Sequence, residues 1–282
     1  MVSSMFELPD DHPGVADPDY RRRRAEIAAA AETWMPGQPI PTVGYTDEEH
    51  AVWATVIGEL KEKHERLTSR QFRDGAHALD LPIDHIPQLG ELDQRLRELS
   101  GFAVEPVPGL VPAREFYGRL ADGTFKSTQY VRHTSVPFYT PEPDILHEVA
   151  GHLNMLANRD FADLHRLAGE TSRRCETDAA HEFFSRVFWY TLEFGVVWES
   201  GDLKAYGAGL ASSYGEIEEF RNAEIRSYDL VAMGTQDYDI THYQPLLFAM
   251  ADHAEIVDRV GELFAAFDDE MHLRLVHHHH AA

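Results

Sequence analysis

The stretch Phe138-Tyr-Thr-Pro-Glu-Pro-Asp-Ile-Leu-His-Glu-Val-Ala-Gly-His152 carries more information about fold and chemistry than any other part of this 282-residue chain. It contains two histidines, His147 and His152, five positions apart among aliphatic neighbours. On an α-helix, residues four apart lie about 40° from each other, whereas residues five apart lie about 140° from each other. The two imidazoles can therefore share a metal ion only near a helix end or a distortion, where Gly151 would permit another segment to approach closely.

A polar pair on a solvated helix surface is the simpler interpretation of this spacing. The aliphatic neighbours weaken it, because imidazole and carboxylate groups that are buried without partners cost free energy. The twelve residues from Val187 to Trp198 carry one charge, that of Glu193. Glu193 is either a solvated side chain or the third member, with His147 and His152, of a two-His-one-carboxylate set, which typically holds non-heme Fe(II).

Two further segments leave a structural and a functional interpretation open. Arg132 closes the mostly uncharged stretch Ser127-Thr-Gln-Tyr-Val-Arg-His133. It is either a strand-end surface residue or a bidentate partner for a carboxylate. The small residues of the segment 204–216 indicate either tight helix packing or room for a ligand, with Ser212 as a hydrogen-bond donor.

Apolar periodicity predicts a mainly α fold with a small β element. Thr46 begins the first helix with a capping-box pattern, and that helix extends to Leu67. Further helices are predicted over residues 88–99, 143–153, 161–172, 178–198, 206–221 and 251–268. Short strands are predicted over 102–107 and 125–131, and residues 81–87 are predicted to form a loop.

The chain divides into an arm, one catalytic-sized domain and a tail. Residues 1–44 contain six prolines and are predicted to form a partly extended N-terminal arm with a helix from Tyr20 to Thr33. We expect this arm to lie over the surface, so that removal of residues 1–40 leaves the site intact. Residues 45–276 form the single domain. The histidine-rich tail 277–282 is either an appended tag or native.

The charge balance excludes several classes of partner. Asp and Glu number 48 against 25 Lys and Arg, which gives a net charge of −23. Nucleic-acid binding and docking on anionic lipid both need a basic surface, so neither partner is expected. No apolar run is long enough for a membrane helix. The single cysteine, Cys175, and the absence of a recognisable secretory signal favour a cytoplasmic location.

Four motifs together resemble the pterin-dependent aromatic amino acid hydroxylases, in character closest to the bacterial phenylalanine hydroxylases. They are TQYVRH, YTPEPDILHEVAGH, WYTLEFG and KAYGAGLASSYGE, in the order and with the spacing of that family. The resemblance covers residues 45–265. It implies a mostly helical catalytic domain that uses Fe(II), a tetrahydropterin (tetrahydrobiopterin or a bacterial equivalent) and O₂ to hydroxylate a small-molecule aromatic amino acid.

The resemblance also implies roles for individual residues. His147, His152 and Glu193 would hold the iron, and Glu148 would be an acid near the pterin and the iron-bound water. Arg132 would bind the substrate carboxylate. The remaining roles are substrate contacts for Thr140, Pro143, Trp189 and Ser212, and pterin contacts for Gly109, Val111, Ala113 and Phe116.

The chain departs from the family at Ser127, Leu146, Val149 and Ala150. These positions are expected to alter the substrate pocket, so the substrate and the ring position stay open. The leading prediction is conversion of phenylalanine to tyrosine. The alternatives are phenylalanine 3-hydroxylation, tryptophan hydroxylation and, from a different class, a zinc metallohydrolase or a non-catalytic metal-binding protein. A monomer is expected.

Overall fold

Several of the longer helices of this chain begin where the sequence supplies a side chain that caps them. The computed structural model describes residues 12–140 and 142–280, so Pro141 and the two ends of the chain lie outside it. The helices are α1 (Pro13–Ala16), α2 (Pro18–Glu32), α3 (Asp47–Leu67), α4 (Arg70–Leu79), α5 (Leu89–Leu99), α6 (Ala113–Leu120), α7 (Ile145–His147), α8 (Asn154–Leu156), α9 (Arg159–Arg174), α10 (Asp178–Phe188), α11 (Ala208–Ser212), α12 (Glu216–Glu219), α13 (Leu230–Thr235), α14 (His253–Glu255), α15 (Gly261–Ala266) and α16 (Asp269–His280).

Three π-helical segments interrupt these helices, and one 3₁₀ turn follows α12. The π segments are π1 (Glu148–Leu153), π2 (Trp189–Glu193) and π3 (Ile256–Val260), and the 3₁₀ turn spans Phe220–Asn222. The capping box predicted at Thr46 is confirmed, because the Thr46 hydroxyl accepts the backbone N–H of Glu49 and the Glu49 carboxylate accepts that of Thr46.

Six short strands form two sheets. They are β1 (Ala103–Pro106), β2 (Thr124–Ser127), β3 (Val196–Glu199), β4 (Asp202–Ala205), β5 (Glu224–Ser227) and β6 (Leu246–Met250). Strands β1 and β2 pair in parallel with Val104 opposite Phe125. The second sheet has the order β4-β3-β6-β5, with β3 antiparallel to β4 and parallel to β6.

The mainly α fold class is therefore confirmed, but several boundaries were wrong. The predicted helix 178–198 ends at Glu193 and continues as strand β3, and the predicted helix 206–221 breaks between α11 and α12. Helix α4 and the four-stranded sheet were not predicted. Periodicity alone cannot separate a short buried strand from a buried helix when both are continuously apolar.

The N-terminal arm contributes to the core more than the sequence suggested. Helix α2 contains the predicted helix from Tyr20 and buries Ile27 against Tyr130. The Arg24 guanidinium lies 2.5 Å from the Glu142 carboxylate and 4.2 Å from the centre of the Tyr130 ring. The arm thus lies over the domain as expected, and in addition this buried ion pair fixes α2 to the segment before α7.

Two hydrophobic clusters meet at the centre of the molecule. The larger one surrounds α7, π1 and α8, and the smaller one lies under the four-stranded sheet. Trp189 packs against both clusters. None of the helices in the described part of the chain combines the length and the apolar character needed to cross a bilayer.

Candidate active site

The two histidines face each other because the helix between them is a π-helix. Segment π1 begins one residue after His147 and includes His152. In a π-helix the hydrogen bonds run from residue i to i+5, so residues five apart return to the same face. The imidazole centres of His147 and His152 lie 5.0 Å apart. The helix distortion that the five-residue spacing of the two histidines requires is therefore a π-helical turn.

Gly151 is needed inside this turn for a packing reason. A Cβ atom at Gly151 would lie 2.5 Å from the carbonyl oxygen of Ala208, the first residue of α11. Only glycine lets α11 approach π1 this closely. The close approach brings Ser212, the last residue of α11, to the rim of the site.

The ring of His147 is held by Ser212. The Ser212 hydroxyl and Nδ1 of His147 are 2.8 Å apart. This contact occupies Nδ1 and leaves Nε2 as the atom that can bind a ligand. A neighbour that orients the second ring nitrogen is the usual support of a metal-binding histidine. Burial lowers the pKa of His147 to about 4, so the ring is neutral at neutral pH.

Glu193 reaches the same place from a second π-helix. It is the last residue of π2, and its Oε1 lies 3.2 Å from Nε2 of His152. Burial alone would raise the pKa of Glu193, but the imidazole of His152 outweighs burial and lowers it. Gly209 makes room for this carboxylate, since a Cβ there would lie 3.0 Å from Oε2.

The donor set fits a divalent metal ion. Two ligands that are each about 2.1 Å from one ion and at a right angle to it lie about 3.0 Å from each other. The 3.2 Å between His152 and Glu193 is close to that separation. Burial alone would lower the pKa of His152, but the carboxylate of Glu193 outweighs burial and raises it, so this ring must give up its proton when a metal ion binds. Two imidazoles and one carboxylate are the donors of the facial set that suits non-heme Fe(II).

Glu148 lies close enough to compete for the role of third ligand. One ligand atom each of His147, Glu148 and His152 lies within 4.8 Å of the other two. Burial raises the pKa of Glu148 to about 8, whereas the pKa of Glu193 is lowered. Metal ligands must be deprotonated. This contrast favours the prediction that Glu193 is the third ligand and that Glu148 is an acid beside it.

A cavity of about 430 Å³ opens beside His147 and Glu193. Its volume lies within the range of small-molecule sites. The predicted site residues in its lining are Arg132, Thr140, Pro143, His147, Trp189, Glu193 and Ser212. Its other lining residues include Phe138, Tyr139, Phe194, Tyr214, Glu216, Ile240 and Tyr243. The structure thus brings every predicted substrate contact into one cavity.

Arg132, which lines this cavity, forms a buried ion pair with Asp144. Its Nε and Nη2 donate to the two carboxylate oxygens of Asp144 at 2.9 and 2.8 Å. Its Nη1 donates to the carbonyl oxygen of Pro137 at 3.3 Å. Asp144 also accepts the backbone N–H of His147, so one carboxylate fixes both the arginine and the start of the metal-binding helix.

The predicted pterin contacts lie beside this cavity and not in its lining. Gly109 and Val111 belong to the loop before α6, Ala113 is the first residue of α6, and Leu110 between them reaches the cavity wall. The ring of Phe116 is half-buried and edge-on to Phe125, with the centres 5.7 Å apart. The Phe125 ring in turn lies 4.8 Å from that of His152.

Several residues of the site were not found in the sequence. Tyr238 stacks on Trp189 with ring centres 4.1 Å apart, and Gln244 accepts the indole N–H at 3.2 Å. Glu216 lines the cavity from α12. No local pattern marks Tyr238 or Gln244, because their loop is distant in sequence. Glu216 is part of the KAYGAGLASSYGE motif, so its position was available as a signal.

The departures from the family do not lie in the wall of this cavity. Ser127, Leu146, Val149 and Ala150 are buried, and none of them is among its lining residues. Leu146, Val149 and Ala150 belong to the larger hydrophobic cluster. The expectation that these four residues reshape the substrate pocket is therefore not supported.

Known proteins resemble this chain in sequence along most of its length. The family profile described as biopterin-dependent aromatic amino acid hydroxylase matches residues 1–279. A phenylalanine 3-hydroxylase of Streptomyces coeruleorubidus is 46% identical over 259 residues, which are 92% of this chain and 93% of that protein. A chloroplastic phenylalanine 4-monooxygenase of Pinus taeda is 42% identical, over 77% of this chain and 61% of that protein.

Solved structures agree with the fold. A mutant form of phenylalanine hydroxylase from Chromobacterium violaceum superimposes with a TM-score of 0.81 at 26% identity, covering 92% of this chain and 93% of that one. A structure of the same enzyme with bound iron (III) and 7,8-dihydrobiopterin gives a TM-score of 0.78 at 26% identity, covering 92% of each chain. The predicted fold and the predicted iron and pterin dependence are thus confirmed at the level of the family. With a family profile that matches nearly the whole chain and a relative 46% identical, this chain belongs to the biopterin-dependent aromatic amino acid hydroxylases.

Proposed function

We propose that this chain hydroxylates the aromatic ring of free L-phenylalanine. The observation that carries the proposal is the single cavity that joins an aromatic wall to the metal-binding residues. Trp189, Phe194 and Pro143 offer an apolar surface for a phenyl ring, and Arg132 offers a cation for a carboxylate. Ile240 lies at the position where the resemblance associates an acid with tyrosine substrates, which favours phenylalanine.

Each site residue would have its own role in the reaction. His147, His152 and Glu193 would hold iron, which together with a tetrahydropterin and O₂ supplies the oxidising chemistry. Ser212 would keep the His147 ring oriented, and Glu148 would hold a proton on its carboxyl group beside the metal. Stacked aromatic side chains would exclude water from the ring, which limits side reactions of the oxidant.

The ring position has two candidates. Trp189, Pro143 and Ile240, which resemble the usual ring-facing residues of the family, favour para hydroxylation, which yields tyrosine. The similarity to the Streptomyces phenylalanine 3-hydroxylase over nearly the full length of both chains favours meta hydroxylation. We give the meta product first place because of this similarity. Regiochemistry depends on shifts of about 1 Å in ring placement.

Product analysis tests the proposal. The protein is loaded with Fe(II), given a tetrahydropterin and O₂, and incubated separately with phenylalanine, tyrosine and tryptophan. We expect turnover of phenylalanine with m-tyrosine as the main product by retention time and mass. A dominant p-tyrosine peak would show that the chain hydroxylates the para position, as the sequence predicted. Turnover of tryptophan alone would contradict the proposed substrate.

The same preparation tests the proposed ligands and the alternative classes. His147→Ala should lose both iron and activity, whereas full iron content in that variant would contradict the ligand assignment. A zinc metallohydrolase would contain zinc and show no pterin-dependent oxygen uptake. A non-catalytic metal-binding protein would bind iron without turnover. The monomeric state and the cytoplasmic location stay predictions from the sequence.

A further inference from the structure

Glu216 is a buried carboxylate that faces the substrate cavity with one free oxygen. It is the first residue of α12, only 6% exposed, and it lines the same cavity as Arg132 and Trp189. Its Oε1 accepts the backbone N–H of Gln244 at 2.6 Å. Its other oxygen accepts no hydrogen bond from any residue that the structure describes.

The other acidic side chains of the cavity have cationic or imidazole partners. Glu142 lies 2.5 Å from Arg24, and Glu193 lies 3.2 Å from His152. Across residues 12–140 and 142–280, Glu216 forms no ion pair with a lysine, arginine or histidine. Burial raises its pKa to about 7, which reflects the cost of an unpaired charge.

A buried carboxylate that opens onto a cavity is stabilised when the occupant supplies the missing positive charge. A free amino acid is a zwitterion. The cavity holds one arginine, Arg132, whose cation suits a carboxylate although Asp144 already accepts two of its N–H groups, and one carboxylate, Glu216, without a cation. That pair of groups complements the two charges of an amino acid and leaves the aromatic wall for its side chain.

We propose that Glu216 binds the α-ammonium group of the amino acid substrate. The inference rests on the proposed function and deepens it, because it identifies the group that selects an amino acid over an aromatic acid of the same shape. Glu216 is then a substrate-binding residue of this chain. Phenylalanine should bind more tightly than 3-phenylpropanoate, which has the same ring and carboxylate but no ammonium group.

Glu216→Gln separates this role from a structural one. The amide oxygen can still accept the N–H of Gln244, so the loop contact is kept while the negative charge is lost. Glu219→Gln is the matched control, since it removes a charge from an exposed position of the same helix. Binding is measured by anaerobic titration calorimetry on Fe(II)-loaded protein without pterin, with phenylalanine and 3-phenylpropanoate as ligands.

We expect Glu216→Gln to weaken phenylalanine binding by about 10- to 100-fold, the range for hydrogen bonds to charged groups. Binding of 3-phenylpropanoate should be unchanged, and Glu219→Gln should match the parent protein. An equal loss for both ligands, or no loss for phenylalanine, would overturn the inference. If Glu216→Gln does not fold, the parent protein decides the question, because equal affinity for the two ligands would overturn the inference as well. A parent protein that binds no aromatic amino acid would contradict the proposed function itself.

Discussion

The Ser212 hydroxyl and the His147 imidazole form the contact on which the orientation of the first predicted ligand depends. Ser212→Ala removes the partner of Nδ1 and lets the ring rotate. Loss of such a supporting contact typically costs about 10- to 100-fold in metal affinity. We expect that loss in a competition assay with a fluorescent chelator. Ser213→Ala is the control, and an affinity for iron as high in Ser212→Ala as in Ser213→Ala would contradict the assigned role.

The raised pKa of Glu216 predicts that the stability of the chain depends on pH. Its carboxyl pKa is about 7 in the folded chain against an ordinary value of 4.5, so between these two pH values the folded state binds a proton that the unfolded state has lost. The free energy of unfolding therefore decreases as pH rises from 4.5 to 7, by a limit of about 3 kcal/mol. Glu216→Gln should be more stable than the parent at about pH 8, and the gap should shrink at about pH 5.

Urea unfolding at the two pH values, without amino acid, measures this difference. Glu219→Gln, which removes an exposed charge from the same helix, is the control. A gap of the same size at both pH values would mean that Glu216 does not carry the shifted titration.

Among individual residues, the sequence identified those whose side-chain type is unusual for its surroundings. His147, His152 and Glu193 stood out as polar groups in apolar stretches, and Arg132 as a cation at the end of one. The sequence could not show that Asp144 occupies two nitrogens of Arg132. Such pairings depend on tertiary contacts and have no local pattern.

Among the elements, π1 depends on the fit between Gly151 and Ala208. Gly151→Ala places a methyl group 2.5 Å from a backbone carbonyl oxygen, and a backbone atom cannot move aside as a flexible side chain can. We expect a loss of about 1–3 kcal/mol in the free energy of unfolding, as for overpacked cores. Iron affinity should fall as well, because His152 follows directly.

Gly58→Ala in α3 is the matched control for this change. A Cβ atom there meets no other atom within 4 Å, so the substitution should be neutral or stabilise the helix by up to about 1 kcal/mol. Chemical denaturation of both variants measures the contrast. Equal stability of the two would show that π1 and α11 can separate without cost.

The elements were predicted best where a capping side chain coincided with regular apolar spacing. Helix α3 satisfies both conditions, helix α5 has the regular spacing, and both were found near their observed ends. Strand β3 was missed because the apolar Val196 and Val197 were predicted to continue the helix across Gly195. Its pairing with β6 joins residues about fifty positions apart, which no local signal reports.

Across the whole molecule, the N-terminal arm and the substrate cavity are coupled through Arg24 and Glu142. Arg24→Met would leave Glu142 buried without its partner, which typically costs about 3–5 kcal/mol. The same change should weaken phenylalanine binding, because Glu142 and the following Pro143 line the cavity. This replaces the expectation that the first 40 residues can be removed without effect.

Urea unfolding and phenylalanine titration measure the two effects. Arg22→Met is the control, since Arg22 lies two residues away on the exposed face of α2. A variant at Arg24 that is as stable as the one at Arg22 would restore the view of the arm as a surface cover. The contribution of the arm to the core was not predicted because its prolines are typical of mobile termini. The burial of Arg24 depends on a tertiary contact with Glu142, which has no local sequence pattern.

Segment π1 has a consequence for how insertions and deletions are interpreted in this chain. A π-turn is an α-turn that contains one additional residue. The pair His147 and His152 is therefore geometrically equivalent to a pair four apart on an α-helix, where both would also share a face. Deletion of one residue between them could relax the helix to the α form and still keep both imidazoles on one side. A motif search that requires the two histidines to be four residues apart would miss the five-residue spacing of this chain. Both spacings nevertheless place the two imidazoles on the same face of a helix.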